Sequence, residues 1–118
     1  MDDTDAAPGG EERSRPVSVD SPEEFEDLLA AEPLVLAAFV TPGCGICASM
    51  EPVFGVVARA APAVVAVVDA SVVPELARTY DVRKSPTLVV FRDGAAVERL
   101  DEGFYGADPL VETLESHA

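Results

Sequence analysis

Two unbroken apolar runs constrain this chain most: Leu34-Val35-Leu36-Ala37-Ala38-Phe39-Val40 and, later, residues 63–68, Ala-Val-Val-Ala-Val-Val. A run with no polar side reads as a strand covered on both faces, the pattern of a parallel sheet. Between the runs, residues 44–60 carry Met50, Val53, Phe54 and Val57 at helical spacing. Strand, helix and strand in that order make a parallel crossover. Pro52 falls inside the predicted helix, where proline removes a hydrogen bond and kinks the axis.

The remaining elements fit around this unit. Residues 16–19 read as a short first strand. Ser21-Pro22-Glu23-Glu24 reads as a helix start, with Ser21 as N-cap, Pro22 in the first turn and Glu24 closing a capping box. Phe25, Leu28 and Leu29 share that helix's apolar face, and Glu32-Pro33 ends it. Residues 74–80 read as a short helix and 87–91 as a third buried strand. Asp93-Gly94 is a hairpin signal, and residues 97–100 form the return strand. Asp108-Pro109 starts a last helix, with Leu110, Val111 and Leu114 on its apolar side. The order is β-α-β-α-β-α-β-β-α, an α/β fold with a mixed central β-sheet and helices on both faces. Residues 1–15 are polar and acidic, contain Pro8-Gly9-Gly10 and show no apolar periodicity, so they are expected to be a disordered tail. Residues 16–118 are expected to form one domain.

The chain's 118 residues suffice for one core. Net charge is −14, and Lys84 is the only lysine. Such a surface repels nucleic acid and anionic lipid, which are discounted as partners. Acidity with almost no lysine resembles proteins of salt-loaded cytoplasms; an acidic protein from a GC-rich genome would show much the same bias. The N-terminus is acidic with no apolar stretch after it, so no secretory signal is read there. The expected location is the cytoplasm, and the expected state is a monomer.

The only two cysteines lie in one window, Cys44-Gly45-Ile46-Cys47. They cannot staple distant parts of the chain together. A Cys-x-x-Cys pair at a strand-to-helix junction suits reversible dithiol–disulfide chemistry. The first thiol falls among the unpaired N–H groups of a helix N-terminus, which favour thiolate, the nucleophilic form. Metal binding is the alternative, because two cysteines are half of a tetrahedral zinc site. The only histidine, His117, lies next to the C-terminus, so a metal would need ligands from a second chain.

With these elements in place, residues 16–116 resemble the thioredoxin family. Four features carry the resemblance. Cys44-Gly45-Ile46-Cys47 follows a strand ending in Phe39-Val40, and Pro52 stands five residues after the second cysteine. Tyr80-Asp81-Val82-Arg83-Lys84-Ser85-Pro86-Thr87 is similar to the stretch around the family's cis-proline, and Phe91-Arg92-Asp93-Gly94 matches the hairpin that follows. The resemblance implies a thioredoxin-like fold and a thiol–disulfide oxidoreductase that needs no bound cofactor. Cys44 would be the nucleophile and Cys47 the resolving thiol. Disulfide-containing proteins would be substrates, and a thioredoxin-reductase-type or other dithiol donor would return the electrons. It implies a cis Ser85–Pro86 bond beside the cysteines, with Gly43, Gly45, Ile46, Ser85, Pro86 and Gly103 forming the substrate surface. Gly103 reads equally as a simple strand-end glycine. A thioredoxin-fold module that binds protein or peptide, with its cysteines idle or sensing redox state, is the other function class.

The departures are as informative. Gly43 stands where the family usually has tryptophan, and Ile46 replaces the proline between the cysteines. If that proline favours a strongly reducing potential, Ile46 makes this pair more oxidising. Ala38 occupies the place of the family's buried aspartate, and Val65 sits near that of its lysine partner. Cys47 therefore lacks an obvious base; water, Glu51 or Glu102 are the candidates, although Glu51 reads most simply as a solvated helix residue. Lys84 is either a source of positive charge near Cys44 or a plain surface lysine.

Overall fold

The computed structural model describes residues 14–118. Residues 1–13 of the expected tail lie outside the described residues. Five strands and four helices follow one another in the predicted order: β1 (Val17–Val19), α1 (Pro22–Ala31), β2 (Leu34–Val40), α2 (Gly45–Ala60), β3 (Val64–Asp69), α3 (Pro74–Thr79), β4 (Thr87–Arg92), β5 (Ala95–Leu100) and α4 (Ala107–Ser116).

The sheet order is β1-β3-β2-β4-β5. β3 runs parallel to both β1 and β2, while β4 is antiparallel to β2 and β5. β2 is central, with Ala37 paired to Ala66 on one side and to Val89 on the other. Successive side chains of a strand point to opposite faces. Leu34, Leu36 and Ala38 accordingly pack with Met50, Phe54 and Val57 of α2 and with Leu110 and Leu114 of α4. Val35, Ala37 and Phe39 pack on the other face with Phe25 of α1 and Leu76 of α3. Both faces are covered, which is why the run carries no polar residue. On the α1 side, the rings of Phe25, Phe39, Tyr80 and Phe91 meet at centroid distances of 5.1–6.4 Å.

The start of α1 follows the predicted chemistry with one change. Ser21 Oγ accepts the Glu24 N–H at 3.1 Å. The Glu24 carboxylate reaches back to the Asp20 N–H at 2.6 Å, one residue before the N-cap. β5 begins two residues earlier than its apolar pattern predicts. Ala95 and Ala96 pair with Arg92 and Phe91, yet lie exposed on the edge strand, so burial left no mark on their identity. β2 ends where α2 begins, and this junction carries the cysteines.

Candidate functional site

Beyond Val40 the chain turns through Thr41, Pro42 and Gly43. Gly43 has φ +78°, a left-handed value that residues with a Cβ rarely adopt. The turn delivers Cys44 in extended conformation (φ −84°, ψ 112°) as the N-cap of α2. The predicted helix began at Cys44; the observed one begins at Gly45, with the cysteine capping it. Cys44 Sγ accepts the Cys47 N–H at 3.1 Å, the role a serine or aspartate oxygen usually fills. Its sulfur thus faces the positive end of the helix dipole.

Both cysteines are free thiols, Cys44 half-buried and Cys47 buried. Their pKa values move apart. Cys44 falls below the ordinary thiol value, chiefly because the Cys47 thiol donates to its thiolate. Desolvation opposes this as the next-largest effect, and the Cys47 N–H, Ser85 and the Ile46 N–H each add a smaller lowering. Cys47 rises because burial disfavours its charged form, and because its proton is held against Cys44, whose negative charge opposes a second one. As pH rises, Cys44 loses its proton first.

The Ser85–Pro86 peptide is cis, as the resemblance implied. The loop lies against the cysteines, with the Ser85 carbonyl oxygen 3.7 Å from Cys44 Sγ. Ser85 Oγ and Thr41 Oγ1 share a hydrogen bond of 2.7 Å, which ties this loop to the turn before Cys44. Thr87 Oγ1 donates to the Lys84 carbonyl at 2.7 Å and braces the loop from its other end. Pro86 is buried, whereas Gly43, Gly45 and Ile46 are exposed around the sulfur, Ile46 by 43%.

Gly103 stands three residues past β5, whose final residue Leu100 pairs with Leu88, two residues after Pro86. Its φ of +91° accounts for glycine there, and an added Cβ would meet no heavy atom within 4 Å. Lys84 does not line the cysteine cavity. It is exposed on a separate depression of about 290 Å³, shared with Asp81, Arg83, Thr87, Arg99 and Asp101. His117 bonds Glu98 at 2.7 Å on β5. Ala38 and Val65 are fully buried in the core beside α2.

The sequence reading missed two features. One is the Thr41–Ser85 bond, which joins residues 44 positions apart and leaves no local pattern. The other is a cavity of about 460 Å³ reaching Cys47, lined by Glu51 of α2 and by Asp69 at the end of β3 among others.

This geometry has counterparts of known kind. The sequence profile of the Thioredoxin family matches residues 16–116. The chain belongs to the thioredoxin family. A thioredoxin of Chlamydia trachomatis serovar D is 37% identical over 102 residues, covering 86% of this chain and 98% of that protein. A protein disulfide-isomerase of Drosophila melanogaster is 39% identical over 87 residues, which span 70% of this chain and 18% of that protein. Among solved structures, a mutant thioredoxin from Halobacterium salinarum NRC-1 superposes with a TM-score of 0.85 at 35% identity, over 89% of this chain and 92% of that one. The thioredoxin-like α/β fold and the class of activity, thiol–disulfide oxidoreduction, follow from these matches together with the paired cysteines. The reading as a module with idle cysteines is not favoured.

Proposed function

We propose that the chain is a protein-disulfide reductase in which Cys44 attacks and Cys47 resolves. One observation carries the assignment of roles: Cys44 Sγ sits at the N-cap of α2, accepting the Cys47 N–H, while Cys47 is buried behind it. The Cys44 thiolate attacks one sulfur of a substrate disulfide. A Cys44–substrate bond forms, and the other substrate sulfur leaves with the electron pair and takes up a proton. Cys47, as thiolate, then attacks Cys44 Sγ. The Cys44–Cys47 disulfide forms, the second substrate thiolate leaves, and two electrons have passed to the substrate.

An extended substrate strand fits the Ser85–Pro86 loop, whose backbone lies at Cys44. Gly43, Gly45 and Ile46 form one side of the contact surface and Gly103 the other. Electrons return from a thioredoxin-reductase-type or other dithiol donor, and the substrates are disulfide-containing proteins. The chain acts as a monomer in the cytoplasm, away from nucleic acid and membranes. Among the described residues no helix is long and apolar enough to cross a membrane. The charge of −14 and the likeness to a Halobacterium salinarum thioredoxin support work at high salt.

Reduction of insulin disulfides by a dithiol donor tests the roles. Cys44→Ser is expected to abolish catalysis. Cys47→Ser is expected to retain the first attack and accumulate a protein–insulin mixed disulfide at Cys44. A mixed disulfide trapped at Cys47 in Cys44→Ser instead would reverse the assignment.

A further inference from the structure

Resolution of the mixed disulfide requires Cys47 to lose a proton. Cys47 is only 6% exposed, and burial holds its proton on. While Cys44 is bonded to substrate, its sulfur is no longer a thiolate that could take that proton. In the core on the α2 side of the sheet, Ala38 and Val65 supply no titratable group. The way out is the cavity of about 460 Å³ that opens on Cys47. It is large enough for several water molecules, and its walls carry polar groups to hold them.

Two carboxylates line it, and they are not equivalent. Asp69 Oδ1 accepts the Ser71 N–H at 2.8 Å and the Ser71 hydroxyl at 2.6 Å. These bonds hold its pKa below the usual carboxylate range, which makes it a weak base. Glu51 lies four residues after Cys47 in α2, one turn along the same helix face. Among the described residues its carboxylate has no hydrogen-bond or ion-pair partner. The other groups that act on Cys47 are Cys44, the N-cap of its helix, and the neutral Thr41 and Ser85 from the two loops, while Asp69 from β3 lines the same cavity.

We propose that Glu51 is the proton acceptor for Cys47, reached through water in this cavity. The inference rests on the two-step reading above. The Cys47 S–H bond breaks and its proton passes by way of water to the Glu51 carboxylate. The Cys47 sulfur keeps the electron pair and forms the bond to Cys44 Sγ, and the Cys44–substrate bond breaks with its pair on the departing thiolate. In the reverse reaction, Glu51 as carboxylic acid returns the proton to Cys47.

The sign of one substitution separates this role from that of a mere charge. A nearby negative charge raises a thiol's pKa. If Glu51 acted only as a charge, Glu51→Gln would ease ionisation of Cys47 and speed resolution at neutral pH. As proton acceptor, its loss slows resolution. The experiment is stopped-flow reaction of the reduced protein with the aromatic disulfide 5,5′-dithiobis(2-nitrobenzoate). The first release of coloured thiolate reports attack by Cys44, and the second reports resolution by Cys47.

The wild-type second phase is expected to be nearly flat across neutral pH. In Glu51→Gln it is expected to be about 100-fold slower at pH 7, to rise about tenfold per pH unit, and to meet the wild-type rate once Cys47 ionises unaided. Asp69→Asn and the remote Glu115→Gln keep the flat profile. An unchanged or faster second phase in Glu51→Gln, slowing by one factor at every pH, or loss of the flat profile in Asp69→Asn overturns the assignment. If the wild type shows no second phase, the two-step reading fails and takes this inference with it.

Discussion

Cys44 and Cys47 are the same side chain three residues apart, and position alone separates them. One caps α2 and accepts an N–H bond, while the other is buried behind it. The separation has a direct test in alkylation by iodoacetamide, followed by mass spectrometry across pH. Cys44 is expected to reach half-maximal rate below the ordinary thiol value of about 8.5, and Cys47 above it. Equal titration of the two thiols would contradict the hydrogen-bond account. At this scale the cysteines, Ser85 and Pro86 were legible because short motifs carry them. Asp69 was not. It lies 22 residues beyond Cys47 in the chain, and only the pairing of Val40 with Asp69 across β2 and β3 brings it to the cavity. Glu51 was visible as a carboxylate one turn from a cysteine, but its exposure pattern is that of any solvated helix position. Its meaning depends on a cavity that forms in three dimensions.

The elements were legible where burial dictated residue type. β2 was readable to the residue, because both of its faces are covered and every position had to be apolar. β5 was readable only in part, since an exposed edge strand satisfies its hydrogen bonds with almost any side chain. The helix starts were readable where a side chain caps them. Ser21 announces α1, whereas α4 starts at Ala107, one residue before the predicted Asp108, and its N-cap Gly106 offers no side chain. The cap of α1 is a separable contribution to stability. Ser21→Ala is expected to cost about 1 kcal/mol, read as a lowered midpoint in urea with an unchanged slope. A loss below a few tenths of a kcal/mol would mean that Glu24 alone, through its bond to the Asp20 N–H, fixes the start of α1.

For the whole molecule, charge and core pull in opposite directions. The core is apolar on both faces of the sheet, while 22 acidic residues face only 8 basic ones, and the Arg83–Asp81 and Arg92–Asp93 pairs lie exposed. Carboxylate repulsion therefore works against the compact state, and salt screens it. The melting temperature is expected to rise from low to molar salt; a flat profile would reject salt adaptation and leave the composition as a genomic bias. The fold and the oxidoreductase class rest on more than charge. They rest on a dithiol placed where one sulfur can attack and the other can close the disulfide. The equilibrium reduction potential of the Cys44–Cys47 pair, measured against glutathione in molar salt, tests this most directly. The expected result is a reversible two-electron couple in folded protein, less negative than about −270 mV because Ile46 stands in place of the usual proline; about 30 mV corresponds to 1.4 kcal/mol. A couple at or below −270 mV would reject the effect assigned to Ile46 and leave the reductase intact. No reversible couple in folded protein would contradict the account at its centre.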